Sequence, residues 1–125
     1  MAIEAGLELE LVVDGASAED MRAVNAGLYE LQLELAERIY LISQELVPVD
    51  SGFLKSTGSV IINDGTPMVV YTADYAEIVE SGIPGTSREG QYFLADAVDE
   101  VMESLPDLLP QYLPDGISLD SVDIV

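Results

Sequence analysis

Apolar residues at Met21, Val24, Leu28, Leu31, Leu35, Ile39, Ile42 and Leu46 follow one another at steps of three and four. That spacing places them on one stripe of a helix and not on one face of a strand. The pattern predicts a helix beginning at Ala18, roughly 40 Å long at about 1.5 Å per residue and well beyond the usual globular length. Leu33, Ala36, Tyr40 and Leu41 widen the stripe, so a sheet on one side and a second partner on the other are expected. Another subunit is one candidate for that partner. Pro48 disfavours helical geometry at Val47 and has no N–H to donate, which ends the helix at Leu46 or one residue earlier. Ser17 is placed to cap its start, with Glu19 and Asp20 near the positive end of the helix dipole.

The other elements follow from shorter signals. Leu7 to Val13 alternates apolar and acidic residues, the period of a strand with one buried face, and Asp14-Gly15 then turns the chain. After the helix, Asp50 and Ser51 can cap a new turn while Gly52 permits a conformation closed to other residues; Phe53 and Leu54 are expected to enter the core. Ser59 to Asn63 and Met68 to Thr72 flank Asp64-Gly65 and read as a hairpin. Asp74 to Gly82 reads as a short helix capped by Asp74 and closed by Gly82. The loop from Ile83 to Gly90 contains glycines and a proline that leave it mobile. Gln91 to Ser104 predicts a second amphipathic helix with Phe93, Leu94, Ala97, Val98, Val101 and Met102 inward; Pro106 is expected to interrupt it, with Pro110 and Pro114 keeping the chain in turns. Residues 117 to 125 form a terminal strand or an extended arm, and no internal repeat is present.

These elements define an α+β fold: one long helix in the N-terminal half and a shorter C-terminal helix packed on a small antiparallel sheet. The 125 residues make one domain with a modest core. Within it, residues 1 to 14 carry the first strand, 18 to 105 the central body, and 106 to 125 a C-terminal extension.

Composition changes the picture through charge. The chain holds 24 Asp plus Glu against 4 Lys plus Arg, a formal net charge of −20, beside 49% hydrophobic residues. A chain of this charge repels itself and nucleic acid in dilute buffer. The acids recur in nearly every segment and Lys55 is the single lysine. General replacement of lysine by carboxylates suits a protein working in a very salty cytoplasm, because at molar salt the Debye length falls to roughly 3 Å and repulsion is screened. The stretch from Ser51 to Ala73 departs from this pattern, with Asp64 its only carboxylate. Either both strands there are buried by the long helix, or they also present an exposed face that a neighbouring subunit covers. Val60, Ile62, Met68, Val70 and Tyr71 are the candidates for such a subunit contact.

Catalytic chemistry has little to stand on. With neither cysteine nor histidine, there is no disulfide framework, thiolate or imidazole metal site, or imidazole base. Asp74, Glu77 and Glu80 share one helical face, yet such clusters arise by chance among so many acids, and no loop has the spacing of a calcium-binding loop. No enzyme activity, metal or cofactor is expected. The acidic start of the chain lacks the basic region of a secretory signal, and no uncharged run approaches the length of a membrane helix; synthesis in the cytoplasm and no membrane contact are therefore expected.

Three segments resemble motifs of the tail-completion (minor tail, neck) family of long-tailed double-stranded DNA viruses. The first is Pro48-Val49-Asp50-Ser51-Gly52 with Leu54 and Ser56 after it; the second is Tyr75-Ala76 with Val79, Glu80 and Gly82; the third is Gln91 with Phe93, Leu94 and Ala97. The family shows a PVDTG segment followed by leucine and serine, a YA-x-x-VE-x-G segment and a Pro-Phe-Leu-x-x-Ala segment in this order. Here Ser51 stands for threonine and Tyr92 for the usual proline. The resemblance spans about Ala18 to Glu103 and rests on three motifs in register.

The resemblance implies a virion protein of the head-tail junction, made in the host cytoplasm. Its copies would form a homo-oligomeric ring, most often six-fold, with DNA passing through the lumen without specific binding. Neighbouring neck, tail-terminator and tail proteins would be its partners. Heterologous contacts that close into a ring are the geometry this requires. Two other readings stay open: a tail-terminator ring of related fold, and an acidic DNA mimic or inhibitor. Mimicry needs rows of phosphate-like charge on one face, whereas salt adaptation needs charge on every exposed face.

Overall fold

The computed structural model describes residues 2–12, 17–48, 52–83, 85–87, 89–114 and 117–124. The expected turn at Asp14-Gly15 and the motif residues Val49, Asp50 and Ser51 lie outside them. The element order is β1 (Ile3–Val12), α1 (Ala18–Leu46), α2 (Phe53–Ser56), β2 (Gly58–Asn63), β3 (Thr66–Tyr71), α3 (Ala76–Ser81), α4 (Phe93–Tyr112) and β4 (Ser118–Ile124). The fold is α+β, with the four strands in the antiparallel order β2-β3-β1-β4.

The limits of α1 are set by its ends. Ser17 accepts a hydrogen bond from the Asp20 N–H and the Asp20 carboxylate accepts one from the Ser17 N–H, a reciprocal cap that satisfies two otherwise orphaned donors. At the other end Val47 turns extended before Pro48. Val24, Leu31, Leu35, Ala36 and Ile39 are buried as the periodicity requires, whereas Met21 and Leu46 at the two ends of the stripe are exposed. The sheet lies against one side of the helix and α4 against another, so the second partner comes from the same chain. Gly27 marks where α1 meets the end of α4: a Cβ there would run into the Tyr112 carbonyl oxygen.

Pro106 does not interrupt the second helix. The helix α4 runs through both Pro106 and Pro110 to Tyr112. Both prolines are exposed while Leu105 and Leu108 are buried, so the apolar stripe stays on α1 and the carbonyls deprived of a donor lie where water can reach them. The last residues form a paired strand, β4, along β1. A shift of register between Glu10 and Leu11 disrupts simple alternation in β4, since Leu119 and Val122 both turn toward the core.

β1 spans the sheet in two stages. Its Ile3 to Gly6 pair with Tyr71 to Met68 of β3, and its Leu7 to Val12 pair with Ile124 to Ser118 of β4. Ala5, Leu7 and Leu9 face the helices with Val69 and Tyr71, while Glu4, Glu8 and Glu10 face outward and are exposed.

Candidate functional site

The second and third motif segments meet at the start of α4. Tyr92 at its N-cap has φ 49°, a left-handed backbone that a proline, fixed near −65°, cannot adopt; the family's proline here would require another local path. No side chain of the N-cap itself closes the helix. Glu80 does so instead: its Oε1 accepts from the Leu94 N–H at 3.0 Å and its Oε2 from the Ala95 N–H at 2.9 Å. A carboxylate at that position also complements the positive end of the helix dipole. The Gln91 N–H donates to the Val79 carbonyl and the Tyr92 N–H to the Glu80 carbonyl, so the second and third motifs form one unit. Gly90 is required by this approach, since a Cβ would strike the Glu80 carbonyl and the Ser81 backbone.

The first motif joins from the other side. Gly52 takes φ 73° at the start of α2, and Leu54 is buried. Phe53 is not: it is 56% exposed, its ring 6.2 Å from Tyr75 of the second motif. Of the two adjacent residues, Leu54 is the one that turns into the core. Ser56 is exposed and its hydroxyl donates to the Phe53 carbonyl. The N-cap of α3 falls on Tyr75 and not on Asp74; Gly82, with φ 77°, closes that helix and bridges to Glu89 across the loop. Ala76, Phe93, Leu94 and Ala97 are all core residues, Val79 packs against them, and Pro48 is half-buried. Of the motif residues described, Leu54, Ala76, Phe93, Leu94 and Ala97 are core, while Gly52, Ser56, Tyr75 and Gln91 are exposed.

A buried polar cluster lies behind this unit and was not visible as a motif. Ser43 on α1 is fully buried, its hydroxyl donating to the Tyr40 carbonyl at 2.9 Å and lying 2.7 Å from the Tyr71 hydroxyl. With the Ser43 proton so placed, Tyr71 is the donor to Ser43. Gln44 Nε2 donates to the Tyr71 oxygen at 2.9 Å and to the Lys55 carbonyl at 3.0 Å, tying α1, β3 and α2 together. Burial pushes the Tyr71 phenol above its ordinary value, against the lowering effect of its bonds with Ser43 and Gln44. Phe93 meets the Tyr71 ring edge-on, with centroids 5.0 Å apart. Ser43 follows Ile39 by four residues, so only its place on the helical stripe could have revealed it.

Of the candidate contact residues on the hairpin, Tyr71 and Met68 are withdrawn from the surface. Tyr71 faces the helices as just described. Met68 lies on the outer face but is buried because it folds over Gly6 across the strand pair, where a Cβ would come within 2.8 Å of its Cγ. Val60 and Val70 are half-buried. Ile62 is 50% exposed, and its neighbour Ile61 is also exposed. The outer face of β2 and β3 carries no charged residue, in contrast to β1 and β4 beside it.

Among the described residues, no three carboxylates are grouped so as to hold a metal ion, and no helix is long and apolar enough to cross a membrane. No protein-family model matches the chain, and neither the curated proteins nor the solved structures yield a match.

Proposed function

We propose that this chain is a structural virion protein of the head-tail junction, a ring subunit of the tail-completion type through which DNA passes. The observation that supports the reading is that the second and third motif segments form one hydrogen-bonded unit around the start of α4, which the first segment touches through the Phe53 and Tyr75 rings. The unit serves architecture: its carboxylate is occupied by helix N–H groups, and Leu54, Ala76, Phe93, Leu94 and Ala97 are core. A mass measurement at molar salt, alone and with the adjoining virion proteins, tests this; a chain that stays monomeric in both settings overturns it.

The second part of the proposal is a salty working environment. Exposed carboxylates occur on β1, α1, α3, α4 and β4, as at Glu8, Glu37, Glu77, Glu100 and Asp123, a distribution that favours salt adaptation over a DNA mimic with charge rows on one face. Glu8 and Asp123 are directly opposed in the β1–β4 pair, an arrangement that repels in dilute buffer and is screened at high salt. The melting temperature should climb steadily between about 0.1 M and molar salt, where the Debye length shrinks from roughly 10 to 3 Å; indifference to salt removes this reading.

A further inference from the structure

The two edges of the sheet are chemically unlike, and a gap in the sheet suits only one of them. Among the described residues Ile3 to Ala5 of β1 have a partner strand, β3, on one side only, because the pairing of β4 begins at Leu7. Against that open stretch lies a cavity of about 290 Å³, bordered by Leu94 and Val98 of α4 and by Ile124 of β4. Glu4, Glu80 and Asp99 also line it, so a segment bearing carboxylates is repelled from it.

Resting on the ring reading, we propose that β2 of a second copy adds to β1 at Ile3–Ala5 and carries Ile62 into this cavity. Open strand edges recruit strands, and main-chain hydrogen bonds supply the contact. The edge strand β4 bears Asp120 and Asp123 and is unsuited to an acidic slot, whereas β2 has no charge at all. Orientation agrees as well. Ile62 stands opposite Pro67 and Val60 opposite Val69, which places Ile62 on the helix-facing side of its own sheet; a sheet continued into the next copy keeps it on that side, where Leu94 and Val98 wait. Donor and acceptor are different surfaces, so the contact is head-to-tail and generates a ring if the rotation closes.

The test uses the full chain at molar salt and two substitutions at exposed sites, Ile62→Asp on the donor and Ile124→Asp on the acceptor, whose native side chains are 50% and 59% exposed. Circular dichroism should show both folded, and sedimentation should show each alone as a monomer. Mixed in equal amounts they should form dimers and nothing larger, since one intact donor then meets one intact acceptor. Leu41→Asp, on α1 at a side chain 62% exposed, should assemble as the parent does. Parent-like assembly of both variants, a mixture that stays monomeric, or disassembly by Leu41→Asp overturns the proposal while leaving the ring reading in place. A parent chain that is itself monomeric at molar salt, alone and with the adjoining virion proteins, removes both.

Discussion

The two halves of the sheet share one core and differ in everything outside it. Beneath β2 and β3 the helices present Ser43, Gln44 and Phe93, a tightly bonded polar and aromatic cluster around Tyr71, while the outer surface of the hairpin is bare of charge. Beneath β1 and β4 the contacts are aliphatic, from Leu7, Leu9 and Val122, and the outer surface brings Glu8 opposite Asp123. The first half is specified from within and left neutral outside. The second is held by generic burial and opposed by its own charges. Stability in this protein should therefore be insensitive to salt on one side of the sheet and sensitive to it on the other.

The largest way to break the comparison is Phe93→Ala, which removes the ring that packs on Tyr71 and should cost about 3 to 5 kcal/mol by chemical denaturation. A loss below about 1 kcal/mol, within the range of an ordinary surface change, would mean that the cluster is not the anchor of its half.

Tyr71→Phe comes next, at about 1 to 2 kcal/mol for the lost hydrogen bonds. It should also alter the response to alkali. The folded phenol has a raised pKa, so its contribution is complete below the unfolded value of 10.0 and declines as pH rises through the folded one. As pH rises from the unfolded value through the raised folded one, the parent should lose stability more steeply than Tyr71→Phe does; parallel profiles would exclude the phenol as the cause.

Asp123→Asn sharpens the other half. Removing one of two opposed carboxylates should stabilise by roughly 0.5 kcal/mol in dilute buffer and by less at molar salt. A gain that is equal at both salts would assign the effect to something other than repulsion. Smallest of all is Ile61→Ser on the outer hairpin face, expected to change stability by no more than about 0.5 kcal/mol; a larger loss would show that this face is part of the chain's own core.

Local signals made much of this fold legible. Ser17 and Pro48 bracket α1 because caps and prolines act within a turn of their own position, and Asp64-Gly65, both at positive φ, marks its hairpin for the same reason. Tertiary compensation was not legible. Pro106 reads as a stop until it is known that Leu105, Leu108 and Leu113 have α1 to pack on. Ser43 sits on the buried stripe but becomes informative only once Tyr71 is placed opposite it. In β4 the register shift hid the alternation. At the candidate site the motif order could be read directly, whereas its physical meaning, a glutamate capping a helix that begins 13 residues beyond it, depends on a contact between segments.

The meeting of β1 with β4 has a kinetic consequence. Glu10 and Ser121 touch across 111 residues of chain, whereas α1 and the hairpin form from neighbours. Loop closure over such a span is entropically slow, and topology of this kind delays folding relative to local contacts. The hairpin and the long helix should therefore gain structure first, with the acidic strand pair zipping last. Until it does, β1 offers two unfilled edges to any uncharged strand nearby, and the carboxylates it carries disfavour such pairing.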